Sequence, residues 1–316
     1  MFDAPYYRAG RIGLPLLAWI VALGQPGPAI FVYQLLCWIL GALLAWVLAR
    51  WLEDEGHSPL RAAPAALFGG VVASMFTSLP DAAMATVVTF ALWRHATGRR
   101  GSLAALVLAV LVKETAVIAA LAIAASEIRD RRPGRSLRFA LLPVLAIAGW
   151  RVFVLFRLGT PATNPWQITG QANFDWPLAW AATKLSMPFD WMEAVALAGV
   201  GVGFLGTVAL IPSILRVRAP ELAYGGFALL GLFLSRHVYL PHWWNHARVL
   251  LALPALAVVL AERQPPGWRR LLLRLVILSA AVVGAPWLNL WGLGFVAFLI
   301  AAWVARGARD VAPTAQ

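Results

Sequence analysis

Asp81 follows Pro80 in the string Thr77-Ser78-Leu79-Pro80-Asp81, where a proline ends one apolar run and a carboxylate opens the next. Two roles suit an acid at that point. As the first residue of a helix it meets free amides and the favourable end of the macrodipole; held at a membrane face toward a cavity, it serves as a base or orients an acceptor. Lys113 and Glu114 break an apolar stretch over residues 103–125. Charges inside a membrane are costly, so the pair is either functional or a turn at the surface from which the lysine snorkels to water. An ammonium there is a point-charge donor suited to phosphate. The stretch 235–248 holds three of the five histidines and two arginines. His242 and His246 have the i, i+4 spacing that sets two imidazoles on one helix face, but no third ligand lies nearby and the segment contains a proline. Tyr239, Trp243 and Trp244 fit interfacial anchoring. Arg248 opens the following apolar run, and its guanidinium fork suits phosphate or pyrophosphate oxygens. No Walker loop, dinucleotide fingerprint, zinc motif or nucleophile elbow occurs, so no cofactor is expected and a divalent metal has no motif to support it.

The elements that must position these residues follow from composition. The chain has 316 residues, 61% hydrophobic and 13% charged, with one cysteine. So few charges cannot cover that much apolar surface in water, and the class is a polytopic membrane protein. A hydrocarbon core of about 30 Å asks for about 20 apolar helical residues, fewer where neighbours shorten the path. Eleven runs answer: 29–49, 63–79, 82–93, 103–112, 115–126, 139–156, 194–215, 223–234, 249–261, 271–285 and 291–304. The expected fold is an all-α transmembrane helical bundle of about eleven segments. The two arms around Lys113 and Glu114, about 15 to 18 Å each at 1.5 Å per residue, suit a half-depth hairpin. Residues 12–23 are short for a span and lie either flat as an interfacial helix or tilted across. The organisation expected is an N-terminal module over 1–156, an extracytoplasmic loop over 157–193 and C-terminal helices over 194–316. In that loop Trp176, Trp180 and Lys184 recur every four residues, which fits an amphipathic helix on the membrane, with sugar binding by the tryptophans a lesser alternative.

The formal charge of +12 divides by topology. Of 26 cations, 24 are arginine, and 18 fall in alternate loops: 50–61, 94–100, 129–138, 216–218, 263–274 and 306–309. The positive-inside rule makes those loops and the C-terminus cytoplasmic, so the charge records orientation and no nucleic-acid partner is expected. Arg11, Asp81, Lys113, Glu114, Arg151 and Arg248 fall on the opposite face. The single Cys37 allows no intrachain disulfide or Cys metal site. The start, with Asp3 and no apolar core, is no signal peptide, so the spans themselves direct the chain to the membrane.

The order of features has a further meaning. Tyr7-Arg8, then Arg11-Ile12-Gly13-Leu14-Pro15-Leu16-Leu17-Ala18-Trp19, a span ending in Arg50, Leu79-Pro80-Asp81, and Leu111-Val112-Lys113-Glu114-Thr115 together resemble the C-type (GT-C) membrane glycosyltransferases. The resemblance covers residues 5–130, and Arg248-Val249-Leu250 to Pro254 more weakly. It implies an enzyme of the bacterial-type plasma membrane that moves a sugar from a polyprenyl-phosphate carrier to an acceptor on the extracytoplasmic face. It also implies a cation before a proline-containing juxtamembrane helix, matched by Arg11 and Pro15, and an acid in the second outer loop, matched by Asp81. It favours the flat reading of residues 12–23. Arg11, Lys113 and Arg248 would then surround the lipid phosphate, with Asp81 as the catalytic residue that orients or activates the acceptor and Glu114, His242 and His246 lining the substrate. Family members begin with a helix and an acidic first outer loop that have no counterpart here, so the expected activity depends on those elements being supplied. A transporter of lipid-linked sugar or a non-catalytic membrane partner subunit stays open beside the enzyme. A carrier would show internal repeats, and no second copy of the Arg11 to Glu114 pattern is found.

Overall fold

A computed structural model describes residues 11–158, 176–178, 191–234 and 243–284. Among them the regular elements are twelve α-helices and two 3-10 segments. In chain order these are α1 (Gly13–Val21), α2 (Pro26–Asp54), a 3-10 segment (Pro59–Leu67), α3 (Gly69–Thr77), α4 (Asp81–Ala96), α5 (Ser102–Val112), a 3-10 turn (Glu114–Ala116), α6 (Val117–Arg129), α7 (Pro133–Leu158), α8 (Trp191–Ile214), α9 (Ala219–Phe233), α10 (Trp243–Val249), α11 (Ala252–Arg263) and α12 (Trp268–Gly284).

The first ten apolar runs each fall on a helix or helix pair, and the run 291–304 lies outside the described residues. Length and composition alone qualify three helices to cross a membrane, Pro26–Asp54, Pro133–Arg157 and Ala194–Ile214. The pair Pro59–Leu67 and Gly69–Thr77, bent by 50°, makes a fourth if it is one span. Two runs read as continuous are broken. In 63–79, Pro64 keeps the first part in a 3-10 form before α3 starts at Gly69. In 249–261, Pro254 has no N–H to give the Leu250 carbonyl, and the Leu253 N–H bonds to it at 2.9 Å instead, so α10 and α11 meet at a turn. Helix α1 has nine residues, about 14 Å, too short to cross alone.

Burial separates inner from outer helices. Every residue of α11 from Ala252 to Ala261 is buried, as are twelve residues of α4, so both are covered on nearly all sides and sit centrally. By contrast α2 exposes Ile30, Phe31, Trp38 and Trp46, and α7 exposes Leu145, Phe153 and Phe156. Large apolar side chains outside and small ones such as alanine inside is the inverse of a soluble bundle, and it is the pattern that suits helices solvated by lipid.

The helix directions give the bundle two charged ends. Helices α4 and α6 carry Asp81 and the Lys113-Glu114 break at one end and Arg94 and Arg129 at the other. Helix α11 leads from the Arg248 side to Arg263. These are called the site end and the arginine end below.

Candidate functional site

Five of the residues singled out in the sequence meet at the site end. Helix α3 closes at Ser78, which takes a left-handed φ of 52°, and Pro80 stands at the N-cap position of α4. Asp81 is thereby the first helical residue, but its side chain makes no capping bond. Lys113 Nζ instead donates to Asp81 Oδ1, with both residues buried. The surface-turn reading of Lys113 is thus corrected, since its ammonium is turned inward to a carboxylate instead of out to water. Arg248 Nη1 lies 3.8 Å from Asp81 Oδ2.

Lys113 and Glu114 do not compensate one another. Lys113 has an extended backbone (φ −158°, ψ 129°) between α5 and the following 3-10 turn, which sends the two side chains to different partners. Glu114 accepts from Arg11 Nη2 at 2.9 Å and from Arg11 Nε at 3.2 Å, a bidentate fork. Arg151 Nη2 stands 4.0 Å from Glu114 Oε2. In that break outside the spans, burial alone would raise the Glu114 carboxyl, but the Arg11 charge outweighs it and holds the group down at about 2.

Two glycines bring the distant cations in. A Cβ on Gly13 would lie 2.7 Å from the Val112 amide nitrogen, so only glycine lets the start of α1 touch the end of α5 and set Arg11 beside Glu114. A Cβ on Gly70 would lie 2.4 Å from the Ala247 carbonyl oxygen and 3.0 Å from the Arg248 Cα. That close approach of α3 to α10 delivers Arg248 to Asp81.

Among the described residues this brings four cations, Arg11, Lys113, Arg151 and Arg248, together with two carboxylates, Asp81 and Glu114. Arg248 Nε is buried and has no hydrogen-bond partner among the described residues. Clustered cations with an unused buried donor have the chemistry to receive an anion with several oxygens.

His246 is placed elsewhere. It is fully buried and lines a separate cavity of about 50 Å³ with Gly69, Gly199 and Ser279. Its expected partnership with His242 falls on residues outside the described ones, and no group of three potential metal ligands occurs among the described residues. Arg151 is the residue the choice of candidates left out. Its signal was present, because a cation inside the run 139–156 meets the same test that picked Lys113.

No protein-family model, curated protein sequence or solved structure matches the chain.

Proposed function

We propose that this is a multi-pass protein of a bacterial-type plasma membrane with its arginine end and C-terminus cytoplasmic, the eleven apolar runs as its segments, and α1 lying at the opposite interface. On this reading the site end faces the extracytoplasmic side and binds the phosphate of a polyprenyl-phosphate-linked sugar. The reaction is glycosyl transfer of the GT-C type. An acceptor hydroxyl attacks the anomeric carbon, its proton passes to a carboxylate, and the bond from that carbon to the phosphate oxygen breaks. The phosphate leaves with one more negative charge than it had in the donor. The observation that carries the reading is Arg248 beside the buried Asp81–Lys113 pair with its Nε buried and unpartnered among the described residues, because a hydrogen-bond donor left over there stabilises the departing phosphate more than the bound sugar donor.

One observation favours a second reading. Asp81 is buried and already engaged by Lys113, and a carboxylate so paired is a weak base. A transporter of lipid-linked sugar, or a non-catalytic subunit that holds the lipid phosphate for a neighbouring enzyme, needs the cations and no base.

A transfer assay with polyprenyl-phosphate sugars on membranes holding folded parent, Asp81→Asn and Arg248→Ala proteins separates the readings. Transfer by the parent, with a loss of 100-fold or more in both variants, on the order of removing one transition-state contact, is the outcome expected of the enzyme. Transfer at the parent rate in both variants removes the proposed site. Binding of the lipid phosphate without transfer by the parent favours the carrier or subunit.

A further inference from the structure

The arginine end carries a feature that the site end does not use. Helices α6 and α9 leave between them an apolar groove of about 610 Å³, lined by Ile118, Leu121 and Ala125 from one and Leu222, Leu229 and Phe233 from the other. Leu121, Leu229 and Phe233 are exposed large apolar side chains along it. From Leu222 to Phe233 the groove runs about 17 Å at 1.5 Å per residue, close to the half-thickness of a hydrocarbon core of about 30 Å.

Its mouth at the arginine end is cationic. Ala125 is one turn before Arg129, and the Leu222 N–H bonds to the Arg218 carbonyl at 3.0 Å, so both walls end in arginine. Arg129 Nη1 donates to the Arg216 carbonyl at 2.6 Å, which ties the α6–α7 turn to the α8–α9 turn although they are 87 residues apart. Seven arginines collect on these two turns and the helix ends beside them: Arg129, Arg131, Arg132, Arg135, Arg138, Arg216 and Arg218. The nearby carboxylates are Asp130, bonded by Arg129, the buried Glu127, paired with Arg135, and the buried Glu221, paired with Arg263. Arg131, Arg132, Arg138, Arg216 and Arg218 are left without an ion pair among the described residues. Exposed Ile128, Leu137 and Leu215 lie between them, so cations and apolar surface alternate as they do at a headgroup boundary.

We propose that this groove and its mouth hold one anionic phospholipid of the inner leaflet, with an acyl chain along the α6–α9 groove and the headgroup phosphate on the arginines of the two turns. The charge selects the anionic headgroup, and the groove selects a lipid over a free anion. The choice of leaflet rests on the orientation proposed above, while the lipid site itself is separate from the proposed sugar-transfer site and its test does not involve that site.

The test uses the full chain purified in neutral detergent, with phosphatidylglycerol or phosphatidylcholine added and bound lipid counted by native mass spectrometry. Phosphatidylglycerol is expected to be retained about tenfold over phosphatidylcholine, and to be lost as ionic strength rises. The variant Arg131→Gln/Arg132→Gln/Arg218→Gln should lower retention at least tenfold, since each arginine near a lipid surface contributes about fivefold. Leu229→Trp, which fills the groove and leaves the cations, should also lower it. Equal retention of the two lipids by the parent, or a preference unmoved by salt, overturns the proposal without recourse to any variant. Displacement of the lipid by an equal concentration of inorganic phosphate also overturns it, because the site would then bind phosphate alone.

Discussion

The two ends of the bundle use the same residue types to different effect. At the arginine end a buried carboxylate gathers cations whose other side faces water: Glu262 takes Arg61, Arg270 and Arg274, with Arg61 and Arg274 about half exposed. Arg263, 18% exposed, joins Glu55 just past the α2 C-terminus to Glu221 of α9. At the site end both members of the Asp81–Lys113 pair are buried, and neither the lysine nor the acid reaches solvent. An arginine that keeps its hydration gives a cheap staple of modest worth. A pair with both members desolvated offers less stability than an apolar pair of the same volume, so its presence calls for another reason. The difference teaches that burial of both members of a pair, more than the presence of an ion pair, separates a bundle's fasteners from its candidate site.

The strongest way to break that contrast is to remove one member of the buried pair. Lys113→Met leaves Asp81 buried beside only the more distant Arg248, and should destabilise the protein by about 3 to 5 kcal/mol, read as a fall in Tm. Adding Asp81→Asn to the same chain should restore much of the loss, because the stranded charge is then gone. If the single variant is as stable as the parent, the pair is not desolvated and the contrast fails.

A smaller effect is expected from the contact that positions Arg11. Gly13→Val forces a side chain against the end of α5 at a cost of about 1 to 3 kcal/mol, and should weaken lipid-phosphate binding by displacing Arg11 from Glu114. The smallest belongs to the other end. Arg61→Gln removes one of three cations around Glu262, with its own side chain 43% exposed, and should change stability by less than about 1 kcal/mol, with binding unaltered. An Arg61→Gln loss as large as that of Lys113→Met would erase the distinction between the ends.

Much of this was legible in the sequence because hydropathy and isolated charge act locally. The ten described apolar runs became helices, and Arg11, Asp81, Lys113, Glu114 and Arg248 were all picked as charges set beside or within apolar sequence. Their pairing was not legible. The adjacency of Lys113 and Glu114 does not tell that an extended backbone at Lys113 sends them to different partners, which depends on how α1 and α4 pack against α5. Spacing grouped His246 with Arg248, yet within one short helix the first lines a small cavity and the second meets Asp81. The partners of Gly13 and Gly70 lie about a hundred or more residues away, so no window along the chain carries them.

The central claim is that the four cations of the site end form a receptor for a lipid phosphate. Competition between a polyprenyl phosphate and the corresponding polyprenol for the purified parent and Arg248→Ala proteins tests it most directly. The account predicts that the parent prefers the phosphate by about tenfold or more, about 1.4 kcal/mol, and that Arg248→Ala loses most of that preference while remaining folded. Equal binding of alcohol and phosphate by the parent would contradict it.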